Sequence, residues 1–485
     1  MQHSFPSAPH DLEHSGAARH LQPPRSDLIR IGSRRWFLQT GVAGLAGLSM
    51  PDLLRLRAQG GTSGNRSRQA VILIWLSGGP SQLDTWDPKP DAPNEFRGPF
   101  RSITTNVPGV RVSEFFPLQA RIMNRLTLVR SVDCRSSTDH YPAPMQAGNP
   151  LAQRSAISSS VGTHPSMGSV TARFRGPNDP SMPPFVGLAD PPLWLADVLG
   201  SGPLGGVYEP VRGHEMANRL TLPPAVNVNR AQDRAELCRQ FDNLRRNLDT
   251  GDTMDRMDHY RRQALEIVMS GKARQAFRID QEPERVRQVY GRHSLGERTL
   301  LARRLVEAGV TFVTVSGTFG VFDNHGDDVV WGGLIKGLKP LLPLVDQAVF
   351  ALINDLEARG LLGTTLVLVM GEFGRSPQFS QRGTGGREHW FSCMSILVAG
   401  GGLSHGQVIG STDPRGGEVR AGRVTPADIG ATVYRHLGIN LDTHWTDGQG
   451  RPQPIVTQGG RPIRSGTRGR PGTSRTAWLL RRWRK

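Results

Sequence analysis

Acidic and imidazole side chains recur directly beside apolar runs of this sequence. The set consists of Asp84, Asp323, His325, Glu372 and His389. Carboxylate oxygens and imidazole nitrogens are ligands of divalent metals, and a metal needs several of them to converge from separate elements of the fold. Taken singly, each has a structural alternative, because an aspartate can cap a turn and a lone histidine is more often structural than a ligand. Together they indicate a divalent-metal site, with zinc, calcium or manganese as the ion.

The apolar runs have the length and composition of buried strands. Residues 70–76 form the continuous run AVILIWL, which ends at Ser-Gly-Gly-Pro and is typical of a strand buried on both faces of a mostly parallel sheet. Further strands are predicted at 126–130, 311–315, 365–370 and 395–398. Since ligands collect beyond the carboxyl ends of strands in open α/β sheets, the acidic and imidazole residues lie where a site is expected.

Helical patterns alternate with these strands. Two of them cover 297–308 and 344–357. A third helix is predicted to begin at Thr425, where a capping threonine, a proline in the first turn and the acid Asp428 coincide. Alternation of this kind predicts an α/β layered domain.

The chain is predicted to have four parts. They are a signal region at 1–59, a linker at 60–69, an α/β domain at 70–450 and a basic flexible tail at 451–485. Within the domain, residues 150–225 are rich in Pro, Gly and Ser and are predicted as long loops, whereas 230–290 are charged and helical. We therefore expect a loop-rich and helical insertion over 150–295.

Composition and charge exclude several classes of function. The 485 residues carry a net charge of +17, much of it in the N-terminal region and the tail. No base-reading motif accompanies this charge, so specific nucleic-acid binding is not expected. The three cysteines, Cys134, Cys238 and Cys393, show no CxxC spacing and form at most one pair. Disulfides therefore do not hold this fold together.

An export signal is predicted near the N-terminus. Residues 33–38, SRRWFL, precede a weakly apolar run at 41–50. Paired arginines followed by Phe-Leu and a glycine-rich stretch resemble a twin-arginine signal, which is read by a translocase that carries folded proteins. The alternative is an ordinary basic segment before a short helix. The run is too short to cross a membrane, so no transmembrane span is expected and the predicted location is the periplasm or the extracellular space.

Six segments carry a resemblance to a known family. They are GGPSQLDTWDPKP, FDNHG, MGEFGRSP, GREHW, LVAGGGLSHGQVIGSTD and TPADIGATVYRHLGI. With the arginine pair they resemble the bacterial family catalogued as domain of unknown function 1501, from about residue 34 to about residue 463. That family belongs to the superfamily of alkaline phosphatases and sulfatases, which hydrolyse phosphate or sulfate esters with one or two divalent metals. The resemblance implies an alkaline phosphatase-like three-layer α/β sandwich with a largely parallel central sheet and a helical insertion.

The resemblance also assigns metal-ligand roles. Asp84 matches the acid after the first strand, Glu372 matches the acid of the superfamily's late Asp-His motif, and His389 matches its final histidine. Asp323 and His325 occupy the region of the middle Asp and His ligands. Two departures stand out. The residue after Glu372 is not the histidine of the late motif, and Asp323 and His325 are two residues apart rather than four.

The resemblance places the nucleophile at the start of a helix after the strand at 126–130, where the helix dipole and backbone N–H groups favour an anion. The candidates are Ser137, Thr138 and His140. Either a hydroxyl attacks, or a metal-bound water attacks with His140 as its base. The segment lacks the Pro or Ala that sulfatases need two residues after a maturing cysteine, so a typical sulfatase mechanism is not expected.

These roles predict a metal-dependent hydrolase of phosphate or sulfate esters that acts outside the cytoplasm on a small-molecule or polysaccharide ester. Arg375 and Arg387 would neutralise the oxygens of the transferring group through bidentate contacts, or either could pair with Glu372. The alternative is a catalytically inactive member that binds a ligand in the cell envelope. The missing superfamily ligands favour this alternative, and the retained acids and histidine favour the enzyme.

Overall fold

The computed structural model describes residues 68–154, 162–189, 198–213, 233, 264, 266–316, 321–325, 332–380 and 385–464. The chain divides into two compact units, Met1–Arg66 and Ser67–Lys485, and the described residues all belong to the second. The predicted signal region at 1–59 and most of the predicted linker lie outside the described residues.

A central sheet of eight strands forms the middle of the described chain. The strands in the described residues are β1 (Ala70–Trp75), β2 (Ser102–Thr104), β3 (Arg111–Ser113), β4 (Leu126–Val132), β5 (Phe185–Leu188), β6 (Val211–Arg212), β7 (Phe312–Val315), β8 (Thr365–Met370), β9 (Gly374–Arg375), β10 (His389–Trp390), β11 (Met394–Gly400), β12 (Gln407–Ile409), β13 (Ser411–Thr412), β14 (Val419–Ala421), β15 (His444–Thr446) and β16 (Pro452–Pro454). The order across the central sheet is β12-β4-β11-β8-β1-β7-β5-β6. Its neighbours pair in parallel except β11, which runs antiparallel to both β4 and β8. The other strands form antiparallel pairs: β2 with β3, β9 with β10, β13 with β14 and β15 with β16.

Helices cover both faces of this sheet. The α-helices whose bounds the structure describes are α1 (Asn94–Arg97), α2 (Pro117–Arg121), α3 (Ala143–Ala147), α4 (Met167–Phe174), α5 (Lys272–Phe277), α6 (Glu284–Tyr290), α7 (Ser294–Ala308), α8 (Lys339–Ala358) and α9 (Pro426–His436). Short 3₁₀ turns occur at Met123–Arg125, Gly202–Leu204, Gly206–Tyr208 and Ile279–Gln281, and a π-helical turn, Gly333–Leu338, leads into α8. Within the described ranges, no helix has the length and apolarity required to span a membrane.

The alternation of side chains along β1 explains the layers. Ile72 and Ile74 belong to one hydrophobic core, which also contains buried residues of α7 and α8. Val71, Leu73 and Trp75 belong to a second core with buried residues of α4 and α9. Because successive side chains of a strand point to opposite faces, a continuous apolar run buries both faces at once. The predicted fold class, a three-layer α/β sandwich with a largely parallel central sheet, is confirmed.

Several predicted elements agree closely with the structure. The strand predicted at 365–370 is β8, and the helix predicted to begin at Thr425 is α9. The Thr425 side chain accepts a hydrogen bond from the Asp428 backbone N–H, and the Asp428 carboxylate accepts one from the Thr425 N–H in return. This reciprocal capping box satisfies two donors at the helix start.

The region at 150–225 differs from the prediction of long loops. It contains α4 and two parallel strands of the central sheet, β5 and β6, with β5 paired directly to β7. Prolines flank β5 on both sides, and its four residues are too few to show a period, so composition outweighed the short apolar run. The domain also continues beyond 450, because β16 pairs with β15 and Ile455 is buried.

One buried acid joins two helices of the described fold. Asp346 of α8 accepts hydrogen bonds from the backbone N–H groups of Leu118 and Gln119 in the first turn of α2, at 2.9 and 2.8 Å. Burial raises the pKa of Asp346 to about 6, and the two N–H donors only partly offset that effect. The carboxylate therefore satisfies two backbone donors at a cost in desolvation.

Candidate metal centre

The topology brings four strand ends to one edge of the sheet. Strands β1, β4, β7 and β8 run in the same direction, so their carboxyl ends share that edge, and the antiparallel β11 begins there. His140 follows β4, Asp323 and His325 follow β7, Glu372 follows β8, and His389 precedes β11. Residues far apart in the sequence can therefore meet.

Four side chains at this edge form a cluster that could hold a metal ion. In His140, Asp323, His325 and His389, one ligand atom from each lies within 4.8 Å of the others. Asp323 is at the centre, with its Oδ1 atom 2.7 Å from His325 Nε2 and 3.2 Å from His389 Nε2. Its Oδ2 atom is 3.3 Å from His140 Nε2. We refer to these four residues as the histidine cluster.

Two further carboxylates orient histidines of the cluster. Glu372 Oε1 lies 2.8 Å from His140 Nδ1, and Glu388 Oε2 lies 2.5 Å from His325 Nδ1. A carboxylate on Nδ1 keeps a proton there and leaves Nε2 for the metal, which is the usual arrangement behind histidine ligands. In both histidines Nε2 faces Asp323.

Glu372 lies behind the histidine cluster rather than inside it. Its Oε1 atom accepts the Gly78 N–H at 2.7 Å in addition to the His140 contact. Its Oε2 atom is buried and has no hydrogen-bond partner among the described residues. Because an unpaired buried carboxylate oxygen is costly, this atom is a candidate acceptor for a further ligand. The sequence resemblance implied that Glu372 is a direct metal ligand. In the structure its Oε1 atom instead contacts His140 Nδ1.

The electrostatics of the cluster follow from these contacts. Burial raises the pKa of Asp323, but hydrogen bonds from the three histidines and the charge of Arg375 outweigh it and hold the pKa well below its ordinary range. For His140, burial lowers the pKa, and the carboxylates of Asp323 and Glu372 more than reverse this, raising it to about 9. Burial lowers the pKa of His389. A metal bound here would take the place of the proton between His140 Nε2 and the Asp323 carboxylate, while the Nδ1 proton would stay with Glu372.

A glycine allows Asp323 to approach the end of β1. Gly78 has a φ of 104°, and a Cβ atom added there would lie 2.5 Å from the Asp323 backbone nitrogen. The Phe322 N–H donates to the Ser77 carbonyl at 2.8 Å, so the two loops are hydrogen-bonded side by side. Only glycine combines this backbone conformation with so close a contact.

Phe373 occupies the position where the sequence resemblance led us to expect a histidine. Its side chain is fully buried, and its ring centroid lies 5.0 Å from that of His140 and 4.7 Å from that of His389. The aromatic ring therefore supplies an apolar wall for two rings of the histidine cluster and no ligand.

The two arginines expected to bind substrate are buried in the protein. Arg375 donates to the carbonyls of Gly78, Gly79 and Arg387 and to the carboxylate of Asp323. These contacts place the cation directly behind Asp323. The structure thus shows Arg375 supporting a cluster residue.

Arg387 is likewise used internally. Its Nε atom donates to Asp84 Oδ2 at 2.6 Å, and its other nitrogens donate to the carbonyls of Phe96, Ser376 and Pro377. With no exposed surface, the guanidinium faces protein atoms on every side. Neither arginine presents a free fork to a substrate, because their donors already have partners.

Asp84 is separated from the histidine cluster by this pairing. Its Oδ2 atom accepts from Arg387 and from the Ser81 hydroxyl, the latter at 2.5 Å. Its Oδ1 atom is buried without a hydrogen-bond partner in the described structure. The structure therefore brings together Asp323, His325 and His389 of the predicted ligands, and it places Asp84 and Glu372 outside that group.

The segment predicted to carry the nucleophile is a loop rather than a helix start. The nearest helix, α3, begins only at Ala143 and has five residues. Ser137 is buried, and its hydroxyl donates to the Glu372 carbonyl at 2.9 Å, whereas Thr138 is exposed. His140, predicted as a base, belongs to the histidine cluster instead. Loop conformation decides between these roles, and the sequence does not specify it.

Sequence reasoning also missed Glu388. Its carboxylate contacts His325, and it directly precedes His389 in the GREHW segment. An acid beside a candidate histidine ligand was the available signal, since metal-binding histidines commonly donate their second N–H to a carboxylate. The partner, however, is His325, 63 residues away in the chain.

The fold and the histidine cluster define an α/β protein with a candidate metal centre at the carboxyl edge of its central sheet. The chain belongs to the family described as Protein of unknown function (DUF1501), which it matches over residues 68–466. No curated protein matches the sequence.

Two solved structures are similar to the chain at low scores. The PsFucS1 sulfatase from Pseudoalteromonas sp. is 12% identical, with 83% of this chain and 72% of that chain covered and a TM-score of 0.34. The structure titled Ps i-CgsB is 11% identical, with coverages of 77% and 72% and a TM-score of 0.29. At such scores the function has to be argued from the site itself.

Proposed function

We propose that this protein binds a divalent metal through His140, Asp323, His325 and His389 and hydrolyses phosphate or sulfate esters outside the cytoplasm. The observation that carries the proposal is the convergence of three imidazole nitrogens and one carboxylate within 4.8 Å, with carboxylates behind two of the rings. Membership of the alkaline phosphatase and sulfatase superfamily, implied by the sequence resemblance, supplies the reaction class. Export by the twin-arginine translocase, implied by the signal-like segment, supplies the location.

The donor set favours zinc among the candidate metals. Calcium and manganese prefer sites rich in oxygen ligands, whereas zinc is commonly bound by imidazole nitrogens with a carboxylate. Glu372 Oε2, buried and unpaired, offers one further oxygen beside His140. When bound, the metal would polarise an ester oxygen and lower the pKa of a water molecule at the site.

The residues around the metal have distinct tasks in this proposal. Glu372 and Glu388 hold the Nδ1 protons of His140 and His325, so that both Nε2 atoms stay available. Arg375 fixes Asp323 and limits its negative charge. Thr138 is the better candidate nucleophile of the two hydroxyls, because it is exposed while the Ser137 hydroxyl is buried and bonded to the Glu372 carbonyl.

The buried arginines favour a second candidate function. A hydrolase of anionic esters needs positive groups aimed at the transferring oxygens, and both Arg375 and Arg387 are fully engaged with protein atoms. The second proposal is a catalytically inactive protein that uses the metal centre to bind an envelope ligand. Both proposals include a bound metal, and only the first includes catalytic turnover.

Elemental analysis of the purified protein tests the metal. After zinc loading and dialysis, the wild-type protein should retain about one ion per chain, and His389→Gln should lose most of it, since changing one ligand removes a direct bond. His444→Gln is the matched control, because His444 is an exposed histidine of β15 that contacts the Asp442 carbonyl. Equal retention by all three proteins would contradict the assignment of the site.

Turnover separates the two functions once metal binding is established. The loaded protein is assayed with aryl phosphate and aryl sulfate esters, with His389→Gln as the blank. Hydrolysis that disappears in the variant supports the hydrolase. Stoichiometric metal without hydrolysis of either ester favours the binding protein.

A further inference from the structure

A strongly basic pocket lies beside the loop that follows β1. Its volume is about 410 Å³, and four cationic side chains line it: Lys89, Arg97, Arg101 and Arg111. No aspartate or glutamate is among the residues that line it in the described structure. Three prolines and Phe100 also line it, so the pocket combines apolar side chains with charged side chains that are all positive.

Two of the three arginines of this pocket are held by neutral groups. Arg111 donates from Nε to the Ser102 hydroxyl at 3.0 Å and from Nη2 to the Ser102 carbonyl at 2.7 Å. Arg97 donates to the side-chain oxygen of Asn94. These contacts position the guanidinium groups without neutralising their charge.

The remaining two cations, Lys89 and Arg101, differ in whether a carboxylate neutralises them. Lys89 pairs with the buried Asp87 carboxylate at 3.0 Å. The Arg101 backbone N–H donates to Glu114 Oε1, and the Arg101 guanidinium makes no hydrogen bond or ion pair with another described residue. Three of the four cations therefore lack an ion-pair partner in the described structure. Like charges held close together repel, and an anion bound between them would relieve that repulsion.

We propose that this pocket binds a small ligand that carries at least two sulfate or phosphate groups. Guanidinium groups match the geometry of these oxyanions through paired N–H donors, and three arginines without an ion-pair partner call for more than one anionic group. The volume is within the range of sites for small molecules. The proline side chains that line the pocket suit the carbon framework of the same ligand, such as a sulfated or phosphorylated sugar.

The pocket is a different site from the histidine cluster. One wall contains Arg97 and Gly98, and the segment is held from behind by Arg387, which donates to the carbonyl of the preceding Phe96 at 2.8 Å. A Cβ atom on Gly98 would lie 2.7 Å from Arg387 Nη2, so this wall packs directly on the guanidinium. Anion binding in the pocket requires no metal, and the proposal stands whether or not the cluster is catalytic.

Titration calorimetry with two probes tests the pocket. The probes are a multiply sulfated disaccharide and inorganic pyrophosphate, added to the full-length protein at near-physiological ionic strength with a chelator present. The double variant Arg97→Gln/Arg101→Gln should weaken binding of whichever probe binds by roughly tenfold or more, because each change removes charged hydrogen bonds. Both side chains are exposed, so folding should be unaffected.

The matched control is Arg274→Gln/Arg285→Gln, which removes the same charge from exposed positions of α5 and α6 that do not line the pocket. It should change the dissociation constant by less than about twofold, because salt at this ionic strength screens exposed charges that do not touch the ligand. The proposal is overturned if the wild-type protein binds neither probe with chelator present, or if both double variants weaken binding equally.

Discussion

Replacing Glu388 with alanine tests the arrangement behind the histidine cluster. The change removes the carboxylate that lies 2.5 Å from His325 Nδ1 and leaves every residue of the cluster in place. Carboxylates that orient metal-binding histidines typically contribute a factor of about 10 to 100 in metal affinity. Because 52% of the Glu388 side chain is exposed, water screens the contact, and we expect the lower end, about tenfold or 1.4 kcal/mol.

Proton competition modifies this expectation in a defined direction. The hydrogen bond to Asp323 raises the pKa of His325, burial opposes it, and Glu388 raises it further. Removing Glu388 therefore makes His325 easier to deprotonate, which partly offsets the loss of affinity at low pH. The loss should therefore be larger at about pH 8.5 than at about pH 6.

The assay is competition for zinc against a chromophoric chelator at both pH values. Glu388→Gln should lose less affinity than Glu388→Ala, because the amide oxygen can still accept the Nδ1 proton. Glu284→Ala is the control. The Glu284 side chain, in the first turn of α6, is 56% exposed and contacts Arg292. If Glu388→Ala binds zinc as tightly as the wild-type protein at both pH values while remaining folded, Glu388 does not orient a ligand.

Two further predictions concern stability. Because burial raises the folded-state pKa of Asp346 from 3.8 to about 6, its contribution is most favourable below pH 4 and falls by about 3 kcal/mol as the pH rises through 6. Urea unfolding should therefore show Asp346→Asn gaining stability relative to the wild type between about pH 4 and pH 7, and a pH-independent difference would contradict this. Gly78→Ala should lose metal and about 1–3 kcal/mol or more of unfolding free energy, since the new Cβ atom meets the Asp323 backbone. Gly109→Ala, with a φ of 78° and nothing within 4 Å of its Cβ position, is the control for backbone strain and should keep its metal.

The layers of the fold were predictable from the sequence because a strand that is buried on both faces has a continuous apolar sequence. A run such as 70–76 has no polar alternate positions, and the capping pattern at Thr425 and Asp428 is local to four residues. The strand Phe185–Leu188 was missed because four residues between prolines carry little periodicity. Local sequence patterns thus predicted the longer strands of the central sheet, whereas the short strands β5 and β6 were not predicted.

The site was predictable only in part, because its decisive contacts join distant residues. Strand ends indicated where Asp323, His325 and His389 would meet. The pairing of Asp84 with Arg387 links residues 303 positions apart, and nothing in either neighbourhood identifies the partner. The role of His140 depends on the path of a loop, which residue types alone do not determine.

The position of Arg387 has a consequence for reading mutants of this protein. Its guanidinium contacts Asp84 after β1 and the segment that forms a wall of the basic pocket. Its backbone N–H donates to the Asn324 carbonyl at 3.0 Å and so holds the loop that carries Asp323 and His325. A substitution there would impair thermal stability, zinc retention and anion binding together. Such a pleiotropic loss would resemble the loss of a catalytic group, yet its origin would be architectural, and only separate measurement of the three properties would tell the two apart.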